Sequence, residues 1–303
     1  MMFPAVRCRL GEPMKNHTSF RIGGTVRAMF FPGSADELAG LCAALRDRGT
    51  EPLILGNGTN ILADDKPLDI VVVKTTGLCD IARTGDAEIT AGAGILLSKL
   101  AAFACEQSLS GLEFAHGIPG TLGGAVAMNA GAYGGEMKDV VRSTRALGAD
   151  DTSSILTGEE HGFSYRRSIL SQNNDIALSS VIKLKKGGMD AIKSLMSDLS
   201  ARRRENQPLD LPSAGSAFKR PKGGYAAKLI EQAGLKGFAI GGAQVSAKHS
   251  GFIVNMGDAS FSDVIAVVEH VQETVYKQFS IKLEPEIKIV QGPGKQTGGA
   301  EWK

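Results

Sequence analysis

The run from Gly117 to Gly135, GIPGTLGGAVAMNAGAYGG, holds seven glycines in 19 residues and no charged side chain. A flexible linker with this much glycine would also carry serine and charge. The charge-free stretch is long enough to cross a membrane, but its glycines and Pro119 make it a poor membrane span. Glycine lets a backbone approach another group closely. The run is therefore predicted either to lie against a ligand or to form a tightly packed, turn-rich connection.

The composition is that of a soluble globular protein. The chain has 303 residues, 43% of them hydrophobic and 22% charged, which suggests about two domains. A net charge of +2 is too small to indicate nucleic-acid binding, and the cationic run at residues 201–205 is interpreted as the solvated end of a helix. The N-terminus lacks the apolar core of a signal peptide, so we expect a cytoplasmic protein.

Cysteine and histidine spacing excludes the common metal and disulfide frameworks. No CxxC or HExxH motif occurs, so neither a zinc site nor a disulfide framework is predicted. The four cysteines are expected to be reduced and buried, as is usual in a reducing compartment. They are Cys8, Cys42, Cys79 and Cys105.

Strand-like and helical segments alternate irregularly along the chain, which predicts an α+β fold. Ser34 and Glu37 form a capping-box pattern at the start of one helix. Further helices are predicted at Met189 to Asn206 and from Ser260–Ser262 onward. A domain boundary is expected near Gly187–Gly188.

A second glycine segment, LILGNGTNIL from Leu53 to Leu62, places a turn directly after a buried strand. Backbone N–H groups in such a turn can form a concave anion site, although a plain hairpin turn fits equally well. It is not a Rossmann fingerprint, because Ile61 stands where the third glycine belongs, and the chain has no P-loop motif. Two charge-free glycine segments, each beside a buried strand, favour a shared dinucleotide cradle.

These two segments resemble the FAD-binding segments of the UDP-N-acetylenolpyruvoylglucosamine reductase (MurB) family, which has the vanillyl-alcohol-oxidase-type flavin fold. The resemblance covers about residues 14 to 291. It implies a two-part FAD-binding domain over 1–187, divided near residue 80, and an α+β substrate-binding domain over 188–291. Residues 292–303 are expected to be a disordered tail. Further motifs that carry the resemblance are NHTSFRIGG, SYRRS, PSAGSAFKRP, AAKLIEQAGLKG, HSGFIVN and LEPEIKIV.

The resemblance implies that NADPH delivers hydride to non-covalently bound FAD. The hydride then passes to an enolpyruvyl ether on UDP-N-acetylglucosamine, which gives UDP-N-acetylmuramate for peptidoglycan synthesis. The compact C-terminal region is typical of the shorter, second type of this family. The residues expected to bind FAD are Gly56, Asn57, Gly58, Thr59, Asn60, Gly117, Pro119, Gly120, Thr121, Gly123, Gly124 and Asn129.

Three residues match the family's catalytic motifs. Arg166 in SYRRS would bind the substrate carboxylate, since its planar guanidinium suits a carboxylate; the adjacent Arg167 is the alternative. Glu286 in EPE would stabilise the developing negative charge, for which a raised pKa is expected. Ser216 in the GS pair would give the proton to carbon, with Lys219 or Lys228 stabilising the resulting alkoxide.

Substrate contacts are expected at polar positions of the family-like segments, because an anionic nucleotide sugar needs cations and amide donors. His249 has an equally good interpretation as a structural histidine. Two other functions stay open: an oxygen-using flavin oxidase and a non-catalytic nucleotide-sugar binder. We expect no nucleic-acid or membrane partner, and a monomer is favoured. The candidate substrate-binding residues are Tyr133, Lys219, Lys228, Gln244, His249 and Asn255.

Overall fold

The computed structural model describes residues 6–292, and these form a mixture of helices and mostly antiparallel sheets. The α+β prediction is confirmed. The α-helices are α1 (Ala35–Arg46), α2 (Leu97–Glu106), α3 (Leu122–Ala127), α4 (Ile169–Asn173), α5 (Met189–Asn206), α6 (Ala226–Gln232) and α7 (Phe261–Phe279).

The strands are short, and several flank single turns. In chain order they are β1 (Arg7–Pro13), β2 (Thr25–Phe31), β3 (Leu53–Leu55), β4 (Ile61–Ala63), β5 (Leu68–Lys74), β6 (Ile81–Gly85), β7 (Glu88–Gly92), β8 (Leu109–Ser110), β9 (Gly131–Ala132), β10 (Gly135–Glu136), β11 (Val141–Leu147), β12 (Ser153–Thr157), β13 (Ile176–Lys183), β14 (Lys185–Lys186), β15 (Ser213–Ser216), β16 (Ala239–Ile240), β17 (Ala243–Val245), β18 (Phe252–Asn255) and β19 (Lys288–Val290).

The chain divides into two compact units that differ from the predicted domains. The first unit ends at Arg203 rather than near Gly187–Gly188, because α5 contributes Ile192 and Met196 to its core. Two N-terminal segments belong to the second unit instead of the first. The first unit comprises the described part of Met1–Arg9, with Met29–Asn57 and Val71–Arg203; the second comprises Leu10–Ala28, Gly58–Ile70 and the described part of Arg204–Lys303.

The first unit is built around a five-stranded antiparallel sheet of order β12-β11-β13-β7-β6. Its first strand in the chain begins at Ile81. Helix α2 buries one face of leucine and alanine in the core of this unit, including Leu97, Leu100 and Ala104. A separate sheet of order β1-β2-β5-β3 contains the parallel pair β3 and β5.

The second unit packs α7 against the antiparallel sheet β15-β18-β17-β16. The buried valines of α7 follow a spacing of three or four residues, as an amphipathic helix requires. Phe20, Ile22 and Leu62 join this core from the N-terminal part of the chain. Strand β4 pairs with β19 in parallel, so the strand that follows the glycine turn at residues 56–60 lies beside the C-terminal strand.

Two local expectations, the helix cap at Ser34 and the burial of the cysteines, meet a clear outcome in the described residues. Ser34 caps α1 by accepting a hydrogen bond from the Glu37 backbone N–H at 3.2 Å, as predicted. Cys8 and Cys79 are exposed, which contradicts their predicted burial, because Cys8 lies on the exposed edge strand β1 and Cys79 lies in an exposed connection before β6. No helix in residues 6–292 has the length and apolarity needed to cross a membrane. The predicted tail lies, except for Gly292, outside the described residues.

Candidate active site

The two glycine segments meet in the first unit. The Asn57 amide nitrogen Nδ2 donates to the Pro119 carbonyl oxygen at 2.6 Å, although the residues are 62 positions apart. A side chain at position 56 would clash with the Thr121 Oγ1 atom, so the contact requires glycine there. The structure therefore brings together the turn after β3 and the run that leads into α3.

Thr121 has an unusual environment at this meeting point. It is 2% exposed, and its Oγ1 atom has no hydrogen-bond partner among the described residues. A buried hydroxyl without a partner is costly, and most such groups bond to protein, water or a ligand. Thr121 also precedes α3 without capping it through its side chain. The unsatisfied hydroxyl suits a ligand with hydrogen-bonding groups.

The glycines of the long run do different jobs. Gly123 packs against β7 and its continuation: a Cβ atom there would lie 2.8 Å from the Ala93 Cβ atom. Gly120 uses its carbonyl to accept from the Leu97 N–H at 3.0 Å, at the start of α2. A Cβ atom at Gly124 would make an ordinary contact, 3.5 Å from Thr121 Oγ1. Close packing of the chain on itself thus accounts for part of the glycine content.

The rest of the glycine turn at residues 56–60, from Gly58 onward, belongs to the second unit. Gly58 has φ +66°, and a Cβ atom there would clash with the His17 carbonyl oxygen. The Gly58 carbonyl accepts from the Ser19 N–H at 3.1 Å, which ties the turn to the N-terminal segment. Thr59 is half-buried. The Asn60 Nδ2 atom donates to the Glu286 carbonyl at 3.1 Å.

Asn129 is buried and fully engaged within the first unit. Its Nδ2 atom donates to Glu136 Oε2 at 2.8 Å and to the Ser164 carbonyl at 3.1 Å. Its Oδ1 atom accepts from the Lys138 N–H at 3.0 Å. The side chain that the sequence assigns to FAD therefore holds the turn that begins at Ser164.

Arg166 lies in that turn. The Ser164 and Arg167 backbones bond to each other in both directions, at 3.0 and 3.2 Å, and enclose Tyr165 and Arg166. Arg166 has φ +56°, a left-handed conformation that costs a non-glycine residue about 1–2 kcal/mol. Its guanidinium lies over the Tyr165 ring, 5.3 Å from the centroid. Such strained positions cluster at functional sites.

The second unit places Ser216 beside Glu286. The Glu286 N–H donates to the carbonyl of Ala217 at 2.8 Å, and the Lys219 N–H donates to that of Glu284 at the same distance. The backbone around Ala217 therefore runs beside the backbone around Glu286, which brings Ser216 near Glu286. Ser216 also pairs with Phe252 across β15 and β18.

The candidate substrate residues occupy varied environments. Lys219 Nζ pairs with Glu284 Oε2 at 3.2 Å, and Lys228 is exposed on α6. Gln244 is half-buried on β17, opposite Val254. In the first unit Tyr133 is 47% exposed.

His249 and Asn255 make structural hydrogen bonds. The His249 Nδ1 atom accepts from the Gly251 N–H at 3.1 Å, so the neutral ring carries its proton on Nε2. Burial lowers the pKa of His249 below its ordinary value. Asn255 Nδ2 donates to the Phe20 carbonyl at 3.1 Å, and its Oδ1 accepts from two backbone N–H groups of the following turn. His249 keeps a donor for a ligand, whereas the polar atoms of Asn255 are already bonded.

The sequence interpretation of the cationic run was wrong for one residue, Arg203. Its side chain is half-buried against Gly117 instead of solvated. The signal was present, because Ile192, Met196 and Arg203 fall on one helical face. His116, which directly precedes Gly117, bonds to Ser200 Oγ through Nδ1 at 3.2 Å.

Comparisons with known proteins identify the class. Residues 26–155 match the family described as FAD binding domain, and residues 207–290 match UDP-N-acetylenolpyruvoylglucosamine reductase, C-terminal domain. The residues at the glycine segments fit FAD, because side-chain-free backbone lies against the buried Thr121 hydroxyl, which has no hydrogen-bond partner within residues 6–292. The protein is an FAD-containing oxidoreductase, which confirms the predicted cofactor.

The particular family follows from whole-chain similarity. The chain is 53% identical over 281 residues to UDP-N-acetylenolpyruvoylglucosamine reductase of Caldanaerobacter subterraneus subsp. tengcongensis, with 93% of each chain covered. It is 46% identical over 282 residues to the reductase of that name from Clostridioides difficile, again with 93% of each covered. The crystal structure of the Thermus caldophilus reductase (MurB) superposes with a TM-score of 0.80 at 33% identity, covering 94% of this chain and 99% of that one. The chain belongs to the UDP-N-acetylenolpyruvoylglucosamine reductase family, as the sequence motifs predicted.

Proposed function

We propose that the protein uses NADPH and FAD to reduce UDP-N-acetylenolpyruvoylglucosamine to UDP-N-acetylmuramate, a precursor of peptidoglycan, in the cytoplasm. The observation that carries the proposal is the backbone hydrogen bond between Glu286 and Ala217, which brings a candidate proton donor beside a candidate carboxyl group. The full-length similarity to reductases of this name supports the substrate assignment.

In this proposal, the glycine segments hold FAD through backbone groups and the Thr121 hydroxyl. FAD, when bound, supplies the hydride-transfer chemistry. The close approach at Gly56 and the Asn57–Pro119 hydrogen bond fix these segments relative to each other. Asn129 acts one step away, since it holds the turn that carries Arg166.

The substrate carboxylate is assigned to Arg166. Hydride addition at the enolpyruvyl double bond leaves negative charge that spreads into the carboxylate, and a guanidinium can bind both carboxylate oxygens. The strained backbone at Arg166 supports this role, because its left-handed conformation persists only when the surrounding turn enforces it. A protonated Glu286 would stabilise the same developing charge.

The proton that completes the product is assigned to Ser216. Its hydroxyl is protonated at neutral pH, and the carbanion that accepts the proton is strongly basic. Lys219 or Lys228 would stabilise the alkoxide, and the present pairing of Lys219 with Glu284 would have to loosen for Lys219 to do so. The Nε2–H of His249 would serve as a donor to the nucleotide sugar. Tyr133 and Gln244 remain candidates for the same ligand.

The test separates the two half-reactions in anaerobic stopped-flow absorbance. The wild-type flavin should bleach with NADPH and regain its colour when the enolpyruvyl sugar is added. Replacing Ser216→Ala should slow the second step by about 10²- to 10⁴-fold and leave the first nearly unchanged. Ser213→Ala, on the same strand β15, is the matched control and should behave as wild type.

Two results would contradict the proposal. Equal slowing of both half-reactions in the Ser216→Ala protein would show a general loss of flavin binding. Wild-type flavin that is reoxidised by oxygen but not by the enolpyruvyl sugar would instead favour the oxidase alternative.

A further inference from the structure

The two glycine segments lack the charge that a diphosphate requires. Neither Leu53–Leu62 nor the stretch Phe114–Gly135 contains lysine or arginine. FAD and a UDP-sugar each carry a diphosphate with two negative charges, and a partly desolvated anion needs a cation or several donors. A cation from elsewhere in the chain would have to balance this charge.

Helix α5 places a cation, the Arg203 side chain, at the start of the glycine run. Its Ile192 and Met196 are anchored in the core of the first unit, and Ser200 bonds to the His116 ring at 3.2 Å. One turn later, the Arg203 side chain lies along Gly117. A Cβ atom at position 117 would be 3.0 Å from Arg203 Cδ and 3.6 Å from its Nη1. The absence of a side chain at Gly117 is what admits the arginine.

The Arg203 guanidinium has no ion pair or hydrogen bond within residues 6–292. Burial lowers its pKa, and the nearby Tyr133 opposes that shift. The neighbouring arginines differ: Arg202 pairs with Asp198 at 2.9 Å, and Arg204 is exposed. Complementing the helix dipole would not require burial, so it accounts for Arg202 and Arg204 better than for Arg203.

We infer that Arg203 binds a diphosphate oxygen of a nucleotide ligand that lies along the start of the glycine run. The inference rests on the proposed function, which supplies two ligands of this chemistry, FAD and the UDP-sugar. A guanidinium already placed and partly desolvated binds such an oxygen at little further ordering cost.

The test measures how tightly three ligands bind to the Arg203→Gln protein. Arg204→Gln is the matched control, because it also removes one positive charge from α5. Flavin fluorescence gives the affinity of the full-length apoprotein for FAD and for riboflavin, which lacks the diphosphate. Calorimetry gives the affinity of the flavin-loaded protein for UDP. Arg203→Gln should weaken either FAD or UDP about 10- to 100-fold, whichever supplies the diphosphate, and leave riboflavin unchanged. Arg204→Gln should change each affinity less than about twofold.

Two outcomes would overturn the inference: unchanged affinity for both diphosphate ligands, or an equal loss for FAD and riboflavin. Arg203→Lys covers the case in which the glutamine variant fails to fold. It keeps the charge but loses the planar fork, so the affected ligand should bind with an affinity between wild type and total loss. Wild-type protein that binds FAD and turns over substrate, while Arg203→Gln matches it, would refute this inference and leave the proposed function standing.

Discussion

Replacing Thr121→Val should have opposite effects on the apoprotein and on FAD binding. Valine has nearly the same shape as threonine but lacks the hydroxyl, and the Thr121 Oγ1 atom has no partner among the described residues. Removing an unsatisfied buried hydroxyl should stabilise the apoprotein by about 1–3 kcal/mol. If a diphosphate oxygen of FAD supplies the missing partner, the variant loses a hydrogen bond to a charged group, worth about 1.5–3 kcal/mol, and FAD should bind roughly 10- to 150-fold more weakly.

The assay pairs urea unfolding of the apoprotein with FAD titration by flavin fluorescence. Thr144→Val is the matched control, because Thr144 is equally buried but its hydroxyl bonds to both His161, at 3.0 Å, and Ser180, at 3.0 Å. That control should destabilise the protein and leave FAD affinity unchanged. The reasoning is refuted if Thr121→Val destabilises the apoprotein like the control and binds FAD as tightly as wild type.

Three further predictions concern stability, measured by urea unfolding. Burial lowers the pKa of His161 below its ordinary 6.5, so the unfolded chain binds more protons than the folded protein near that pH. The free energy of unfolding should therefore be full above about pH 6.5 and fall below it, and it should fall less steeply in the His161→Phe protein. His249, whose pKa is also lowered by burial, contributes in the same direction. Gly58→Ala should cost more than Gly49→Ala, which shares its positive φ but has open space and should lose about 1–2 kcal/mol; equal losses would rule out the clash. Asn129→Asp replaces an amide donor by a carboxylate next to another carboxylate and should cost at least about 2 kcal/mol at neutral pH; an unchanged midpoint would contradict the assigned bonds.

Local sequence signals predicted the helices α1, α5 and α7. The capping serine at Ser34 and the apolar spacing in α5 and α7 act between residues no more than four positions apart, so they are readable without the fold. The short helix α3 was missed inside the glycine run, because glycine is a poor helix former. It forms where β7, β13 and the continuation at Ala93 surround it.

The sequence motifs predicted the family and the cofactor, whereas the contacts of individual side chains depended on tertiary packing. Asn129 looked like a cofactor ligand, yet its amide is used by Glu136 and the Ser164 carbonyl. Arg203 looked like a solvated cation, yet the register of α5 turns it inward. In each case the deciding partner lies on another element, and the sequence around the residue does not record it.

The sequence by itself determined the glycine-rich turns, the family motifs and the helices α1, α5 and α7. The turns and helices are readable because backbone freedom, capping and periodicity act over a few residues. Tertiary structure decided that Asn57 reaches Pro119 and that the Thr121 hydroxyl is buried with no hydrogen-bond partner in the part of the chain that the structure describes. Those contacts join segments distant in sequence, and their position depends on how whole helices and sheets bury their apolar faces. The helix or strand propensity of a short segment does not include that packing.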